Sequence, residues 1–223
     1  MAEEFRRDLK MVGETTSAGG KFRNVKIMGE SVLSGDVDCI KLSCTGEITV
    51  NGGLRALELK LTGECDVKGI VHAVKIGGRG ELDVLSGIRA EDIKFTGNVK
   101  TKGDCEAASF EVFGAFQIDG LLSAEKLEVS MYGPCVAREI GGGTLRFKRS
   151  KATVFKRLIN SEDVAALSAQ SIEGDVVDLE HTSASLVRGN NVKIGSGCEI
   201  DRVEYRDTLD IHKSAIVKEK IKI

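Results

Sequence analysis

Apolar residues along this chain fall in pairs with one residue between them, and the pairs return every seventeen residues. Gly46 serves as position one of the unit. Positions three and five carry Ile48/Val50, Cys65/Val67, Leu82/Val84 and Phe116/Ile118. Positions nine and eleven carry Leu54/Ala56, Val71/Ala73 and Ile88/Ala90, and position fourteen reads Leu42, Leu59, Ile76, Ile93, Phe110 and Leu127. Gly29, Gly46, Gly63, Gly80, Gly97 and Gly114 share position one. Alternation with period two describes a strand with one buried face. A short fixed period describes stacked units, each too small to bury its own apolar side. Three short strands and three bends make one coil, and stacked coils bring like positions to roughly 4.8 Å. The pattern predicts an all-β, single-domain, three-sided parallel β-helix of about 17 residues per coil.

The phase of the repeat divides the chain. Residues 1–18 precede it and are expected to be a mobile tail. There Phe5, Leu9 and Val12 recur at helical spacing among Arg6, Arg7 and Lys10, which suggests a frayed segment, a short capping helix or a weak membrane-surface anchor. The β-helix is expected over 19–217, opening with a partial coil that contains Phe22, Val25 and Ile27. Its coils are regular over 29–130. Met131 and Tyr132 add two residues to the count, and 131–168 is irregular, with Ser161, Glu162 and Asp163 able to start a short helix. The spacing resumes over 169–217, where Val177, Ile194 and Ile211 form one set, Ala169, Leu186 and Val203 another, Val192 and Leu209 a third, and Ile200 and Val217 a fourth. Residues 218–223, KEKIKI, are a C-terminal tail that either caps the last coil or stays mobile.

Composition agrees with a narrow core. Aromatic residues make up 4% of the chain, with no Trp and one Pro. The net charge of -2 gives no general nucleic-acid footprint. Cys39, Cys44, Cys65 and Cys105 occupy inward positions, and Cys135 and Cys198 fit the same frame once the insertion is allowed. With no CxxC pair, these thiols read as reduced core residues in a cytoplasmic protein rather than as disulfides or metal ligands. No apolar run approaches the roughly 20 residues of a membrane span, and the N-terminus lacks the apolar stretch of a signal peptide.

Outward positions carry the charge. Position thirteen reads Lys41, Glu58, Lys75, Asp92, Ser109 and Lys126, an alternation that favours one register. Position two reads Glu30, Glu47, Glu64 and Glu81, an acidic stripe that is either a solvated edge or a surface for the basic residues of 146–157 in a neighbouring subunit. Enzyme signals are sparse. His72, His181 and His212 are the three histidines, and His72 falls between Arg55 and Arg89 in the stack. There is no phosphate-cradling loop, no dinucleotide fingerprint and no HExxH. The expectation is no catalytic residue, no metal site and no cofactor. The tract NNVKIGSGCEI, 190–200, is similar to the coils of hexapeptide-repeat acyltransferases, and a β-helix enzyme of that type is the competing reading. A monomeric scaffold that recruits a basic partner through its acidic stripe is the other.

The run GEITVNGGLRALELKLTGECDVKGIVHAVKI, 46–76, resembles the repeat of bactofilins, the bacterial polymer-forming cytoskeletal proteins. The likeness extends over 29–129 and, more weakly, over the tract LVRGNNVKIGSGCEIDRVEY. It implies a right-handed β-helix, here a longer and divergent member, that polymerises end to end without nucleotide and scaffolds cell shape, wall synthesis or motility. The bottom-up argument points the same way. A solenoid buries its sides but leaves unpaired strand backbone and half-covered apolar side chains at its ends. Phe22, Val25 and Ile27 at one end, and Leu209, Ile211 and Val217 at the other, are the expected polymer interface. The expected partner is a second copy or a paralogue, with peripheral membrane contact through residues 1–12 as a weaker addition.

Overall fold

In the computed structural model the described residues are 6–150 and 165–223. They form twelve strands in one sheet in which every pairing is parallel. The order follows the chain: β1 (Arg7–Val12), β2 (Thr15–Ser17), β3 (Gly20–Leu33), β4 (Val37–Val50), β5 (Leu54–Val67), β6 (Ile70–Val84), β7 (Gly87–Thr101), β8 (Cys105–Arg149), β9 (Leu167–Leu179), β10 (Thr182–Ile194), β11 (Glu199–Ile211) and β12 (Ile216–Lys222). Each strand pairs with its sequence neighbours, except that β1 reaches past β2 to β3. The molecule is therefore the parallel β-solenoid that the seventeen-residue period predicts.

Single strands run almost a full coil because the backbone keeps its ladder through the bends. In β5 the inward residues are Leu54, Ala56, Leu59, Leu61, Cys65 and Val67, three pairs for three faces. They stack in columns: Leu42 meets Leu59, Leu59 meets Ile76, and Ile76 meets Ile93. The glycines of position one stack as well. Gly63 has φ +127, and a Cβ built there would run into the carbonyl oxygen of Gly46. A side chain at that corner is excluded twice, by dihedral and by space.

The two-residue insertion is absorbed inside β8. Met131 is fully buried, while Tyr132 sets its ring edge-on against Phe113, centroids 4.7 Å apart. In the core Phe116 packs between Phe110, centroids 6.0 Å apart, and Phe147 at 6.3 Å. The stack then continues without loss of its ladder. Arg146 pairs with Glu128, eighteen residues back, and the Ser150 N–H donates to the Met131 carbonyl. Residues 133–150 thus form a full coil where irregular structure was expected. That coil meets the next described one directly: Cys135 faces Leu167, Leu145 faces Val177 and Phe147 faces Leu179. The expected helix at Ser161, Glu162 and Asp163 lies outside the described residues.

Three expectations are corrected. Residues 7–12 are a strand, with Leu9 opposite Val25 and Met11 opposite Ile27, so the N-terminal segment belongs to the solenoid and is neither helix nor tail from Arg7 on. The alternation of Leu9 and Met11 outweighs the helical spacing of Leu9 and Val12. Residues 218–222 likewise belong to β12, and the Ile223 N–H donates to the Tyr205 carbonyl. Finally, the coils after 165 are not all seventeen residues long. Val177 pairs with Val192, fifteen residues on, and Ala169 with Ala184. Val187, not Leu186, meets Val203 at sixteen, and only then do Val192 meet Leu209, and Ile194 meet Ile211, at seventeen.

Candidate assembly interface

The last coil is where the apolar columns are least covered. Leu209 and Ile211 pack on the core but remain half-buried, as does Val217. Among the described residues β12 pairs only with β11, over 199–205, and no strand lies over Thr208–Ile211. Ile216 and Ile223 add exposed apolar surface beside them, at 58% and 54%. Leu209 and Ile211 in β11 and Val217 in β12 are thus each half-buried near the end of the stack.

The other three proposed interface residues are not. Phe22, Val25 and Ile27 are 2% exposed or less, because β1 covers them. Arg7 lies under the Phe22 ring at 5.9 Å, and Asp8 accepts from Arg23 Nη2 at 2.7 Å and from Asn24 Nδ2 at 3.0 Å. Arg6 donates to Asp38 at 2.9 Å. Among the described residues β1 and β2 therefore lie outside β3, and β1 carries half-buried Leu9, exposed Val12 and buried Met11. Sequence reasoning missed these residues, although the apolar alternation at Leu9 and Met11 was the available signal.

On the sides of the stack, Glu30, Glu47, Glu64 and Glu81 are neighbours in consecutive strands, as expected. Lys100 reaches back to Glu81. Glu30, Glu47 and Glu64 have no ion pair among the described residues. Of the basic stretch proposed to meet them, Arg146 pairs with Glu128 and Lys148 with Asp178 within the same chain, while Lys151, Lys156 and Arg157 lie outside the described residues. The position-thirteen alternation closes into an ion pair at Lys41–Glu58, 2.7 Å, where Lys60 joins at 3.1 Å. The two ammonium groups hold the Glu58 carboxyl below its ordinary value.

All six thiols are free and buried. Burial pushes the Cys39 and Cys44 thiols up to about 11 and those of Cys105 and Cys135 to about 12; Cys65 rises further and Cys198 is also raised. The desolvated thiolate is the disfavoured form, so these groups are poor nucleophiles. The histidines lie on separate coils. His72 stacks between Arg55 and Arg89, His181 holds a turn at φ +48 beside Gly197, and His212 Nδ1 lies 2.8 Å from the Ser214 hydroxyl. Among the described residues no helix is long and apolar enough to cross a membrane.

No family model and no solved structure matches the chain. The uncharacterized protein YhbE of Bacillus subtilis (strain 168) is 37% identical over 108 residues, which is 48% of this chain and 45% of that protein. The uncharacterized protein YhbF of the same organism is 37% identical over 105 residues, 47% of this chain and 42% of the relative. The chain therefore spans less than half the length of either relative, and neither relative's name states an activity.

Proposed function

We propose that this protein is a structural polymer former of the bactofilin type. It assembles end to end with copies of itself into nucleotide-independent cytoplasmic filaments that act as a scaffold for cell shape, wall synthesis or motility. The observation that carries this reading is the surface of the last coil, where Leu209, Ile211 and Val217 stay half-buried beside an unpaired strand. Covering them with another coil would gain about 25 cal/mol per Å² of apolar surface and would satisfy the free backbone groups. Six buried thiols with raised pKa fit a reducing compartment. The three histidines lie on separate coils, which disfavours an enzymatic reading.

The test is high-speed centrifugation of the purified chain without nucleotide, followed by negative-stain microscopy of the pellet. Filaments that pellet without ATP or GTP are the expected result. A protein that stays monomeric in the supernatant over a wide range of concentration overturns the reading.

A further inference from the structure

The bend that follows positions three and five of the regular coils places a glycine at position seven. The pairs across positions six and seven read Ser34–Gly35, Asn51–Gly52, Lys68–Gly69, Lys102–Gly103 and Asp119–Gly120. The previous coil requires that glycine: a Cβ at Gly52 would lie 2.6 Å from the Asp36 backbone nitrogen, and one at Gly69 would lie 2.6 Å from that of Gly53. In this set the glycine follows an asparagine at Asn51. The amide carbon of an asparagine side chain is an electrophile, and the next backbone nitrogen reaches it by closing a five-membered ring. A following glycine leaves that nitrogen unshielded and its dihedrals free to turn.

The local structure leaves both reacting groups available. Residues 51–53 lie between β4 and β5, outside any strand, and Asn51 is exposed. Its side chain makes no hydrogen bond among the described residues. The N–H at position seven is tied down in later coils: Gly69 donates to the Gly52 carbonyl at 2.9 Å, Ser86 to the Gly69 carbonyl at 3.4 Å, and Gly103 to the Thr101 hydroxyl at 3.2 Å. The Gly52 N–H has no such acceptor among the described residues, although the adjacent Gly53 N–H donates to Asp36 at 2.7 Å. The asparagines at 24, 98, 190 and 191 all lie within strands. Asn24, Asn98 and Asn191 are each followed by a valine, whose branched side chain crowds the nitrogen. Asn24 Nδ2 donates to Asp8, Asn190 Nδ2 donates to Asp175, and Asn191 Oδ1 accepts from Thr208.

We propose that Asn51–Gly52 is a site of spontaneous modification, at which the folded protein converts a neutral amide into a carboxylate. The Gly52 nitrogen gives its proton to hydroxide and attacks Asn51 Cγ. The N–Cγ bond forms, the Cγ–Nδ2 bond breaks, and the side-chain nitrogen leaves as ammonia. Water then opens the cyclic imide. Attack at Cγ gives aspartate; attack at the main-chain carbonyl gives isoaspartate, which adds one methylene to the backbone of the bend. The net change consumes one water and releases one ammonia, with no oxidant and no cofactor. The fold accommodates the aspartyl product. Position six already carries Asp119, and Lys102, one coil away in the same column, pairs with it at 3.1 Å. Lys68 stands one coil from Asn51 in that column and has no ion pair among the described residues, so the new carboxylate gains the same kind of partner. The site lies far from the last coil, and the inference does not rest on end-to-end assembly.

Peptide mapping tests it. The full chain is incubated at pH 9 and at pH 5, with circular dichroism to verify that it stays folded, and is then digested and analysed by mass spectrometry with chromatographic separation of aspartyl and isoaspartyl forms. Conversion is expected at Asn51, while Asn24, Asn98, Asn190 and Asn191 remain amides. The rate is expected to fall about tenfold for each pH unit toward acid, as the ionised fraction of the Gly52 amide falls. Asn51→Gln would have to close a six-membered ring, and it is expected to keep the parent's spectrum and to lose the more acidic form that the parent develops on anion exchange. Asn51→Asp is expected to fold like the parent and to elute with the aspartyl form. The proposal is overturned if Asn51 of the folded chain stays an amide over the time in which a synthetic peptide of residues 49–55 converts. It is equally overturned if conversion requires urea, since the bend then protects the pair, if the strand asparagines convert as fast as Asn51, or if Asn51→Gln develops the acidic form at the parent's rate.

Discussion

Over residues 20–118 every coil is seventeen residues long, and each column repeats at that interval from Val25 to Phe110. Over residues 135–211 the step is thirty-two from β8 to β9, fifteen from β9 to β10, and sixteen changing to seventeen from β10 to β11, yet Leu145, Val177, Val192 and Leu209 still meet in one column. The difference teaches what the fold requires. Inward pairs must meet inward pairs, whereas the bends between them are free to lose or gain residues. The first stretch fixes its bends with positive-φ glycines: Gly46, Gly63, Gly80 and Gly97 all lie between +121° and +128°. The second has glycines at 142, 174 and 189 without that dihedral, and its bends vary.

The sharpest way to break this comparison is to place the same charge in both stretches. Ile93 is fully buried in the middle of the regular coils, and Ile93→Lys leaves an ammonium with no partner and no path to water. Loss of several kcal/mol is expected, enough to unfold a typical domain. Ile211 is half-buried at the last coil, and its lysine reaches solvent. Ile211→Lys is expected to keep the β-type circular dichroism spectrum and to leave the protein in the supernatant after high-speed centrifugation. An unfolded Ile211→Lys, or one that pellets like the parent, removes the last coil as the interface.

Thiol labelling asks whether the two stretches open alike. Cys65 and Cys105 are covered by several coils on each side, whereas Cys198 is followed by Ala215 in the last coil. Opening of the terminal coil costs less than opening of the middle. Cys198 is therefore expected to react first under native conditions, and Cys65 and Cys105 last, by orders of magnitude in rate. Uniform rates would mean that the solenoid opens as one unit.

A smaller effect separates the two kinds of bend. Gly63→Ala meets the Gly46 carbonyl in a dihedral that L residues avoid, and a cost of roughly 1–3 kcal/mol is expected. Gly141 has ordinary φ, and an added Cβ finds only Leu121 Cδ1, at 4.0 Å. Gly141→Ala is expected to fall within about 0.5 kcal/mol of the parent by thermal or urea unfolding. Equal costs would show that the corner glycines do not set the seventeen-residue coil.

These contrasts also explain what the sequence made legible. The regular stretch carries its register in every column, so its fold, its inward cysteines and its acidic stripe could all be read in advance. The later stretch misled in two ways. Val177 and Ile194 are seventeen apart and both face inward, because a slip of two residues preserves the side of the strand; the true partner of Val177 is Val192. Leu186 was placed inward but sits one residue from Val187, which is fully buried. Position eleven was read as uniformly interior, yet Ala56 is buried while Ala73 and Ala90 are half-buried. Of the candidate interface, the burial of Phe22, Val25 and Ile27 was not legible, because the first coil that covers them is out of phase.

That first coil offers the smallest test. Leu9 and Met11 stand sixteen residues before Val25 and Ile27, so β1 belongs with the variable coils although it borders the regular ones. A carboxylate clamps it in place. Hydrogen bonds from Arg23, and then from Asn24, hold the Asp8 carboxyl at about 2, against an ordinary value of 3.8. A depressed value means that the ionised form favours the docked strand. The contribution is complete above pH 4 and is lost as pH falls from about 4 to about 2, when the folded state too takes up the proton. The clamp is exposed, so its effect is expected to be local: amide exchange in 7–12 should accelerate over that pH window while exchange in β5 does not. Asp8→Asn, which cannot ionise, is expected to show the faster exchange already at pH 6 and no further change over the window. If the parent's 7–12 amides behave like the variant's at pH 6, the Asp8 clamp does not hold the out-of-phase coil, and the packing of Leu9 and Met11 alone must account for it.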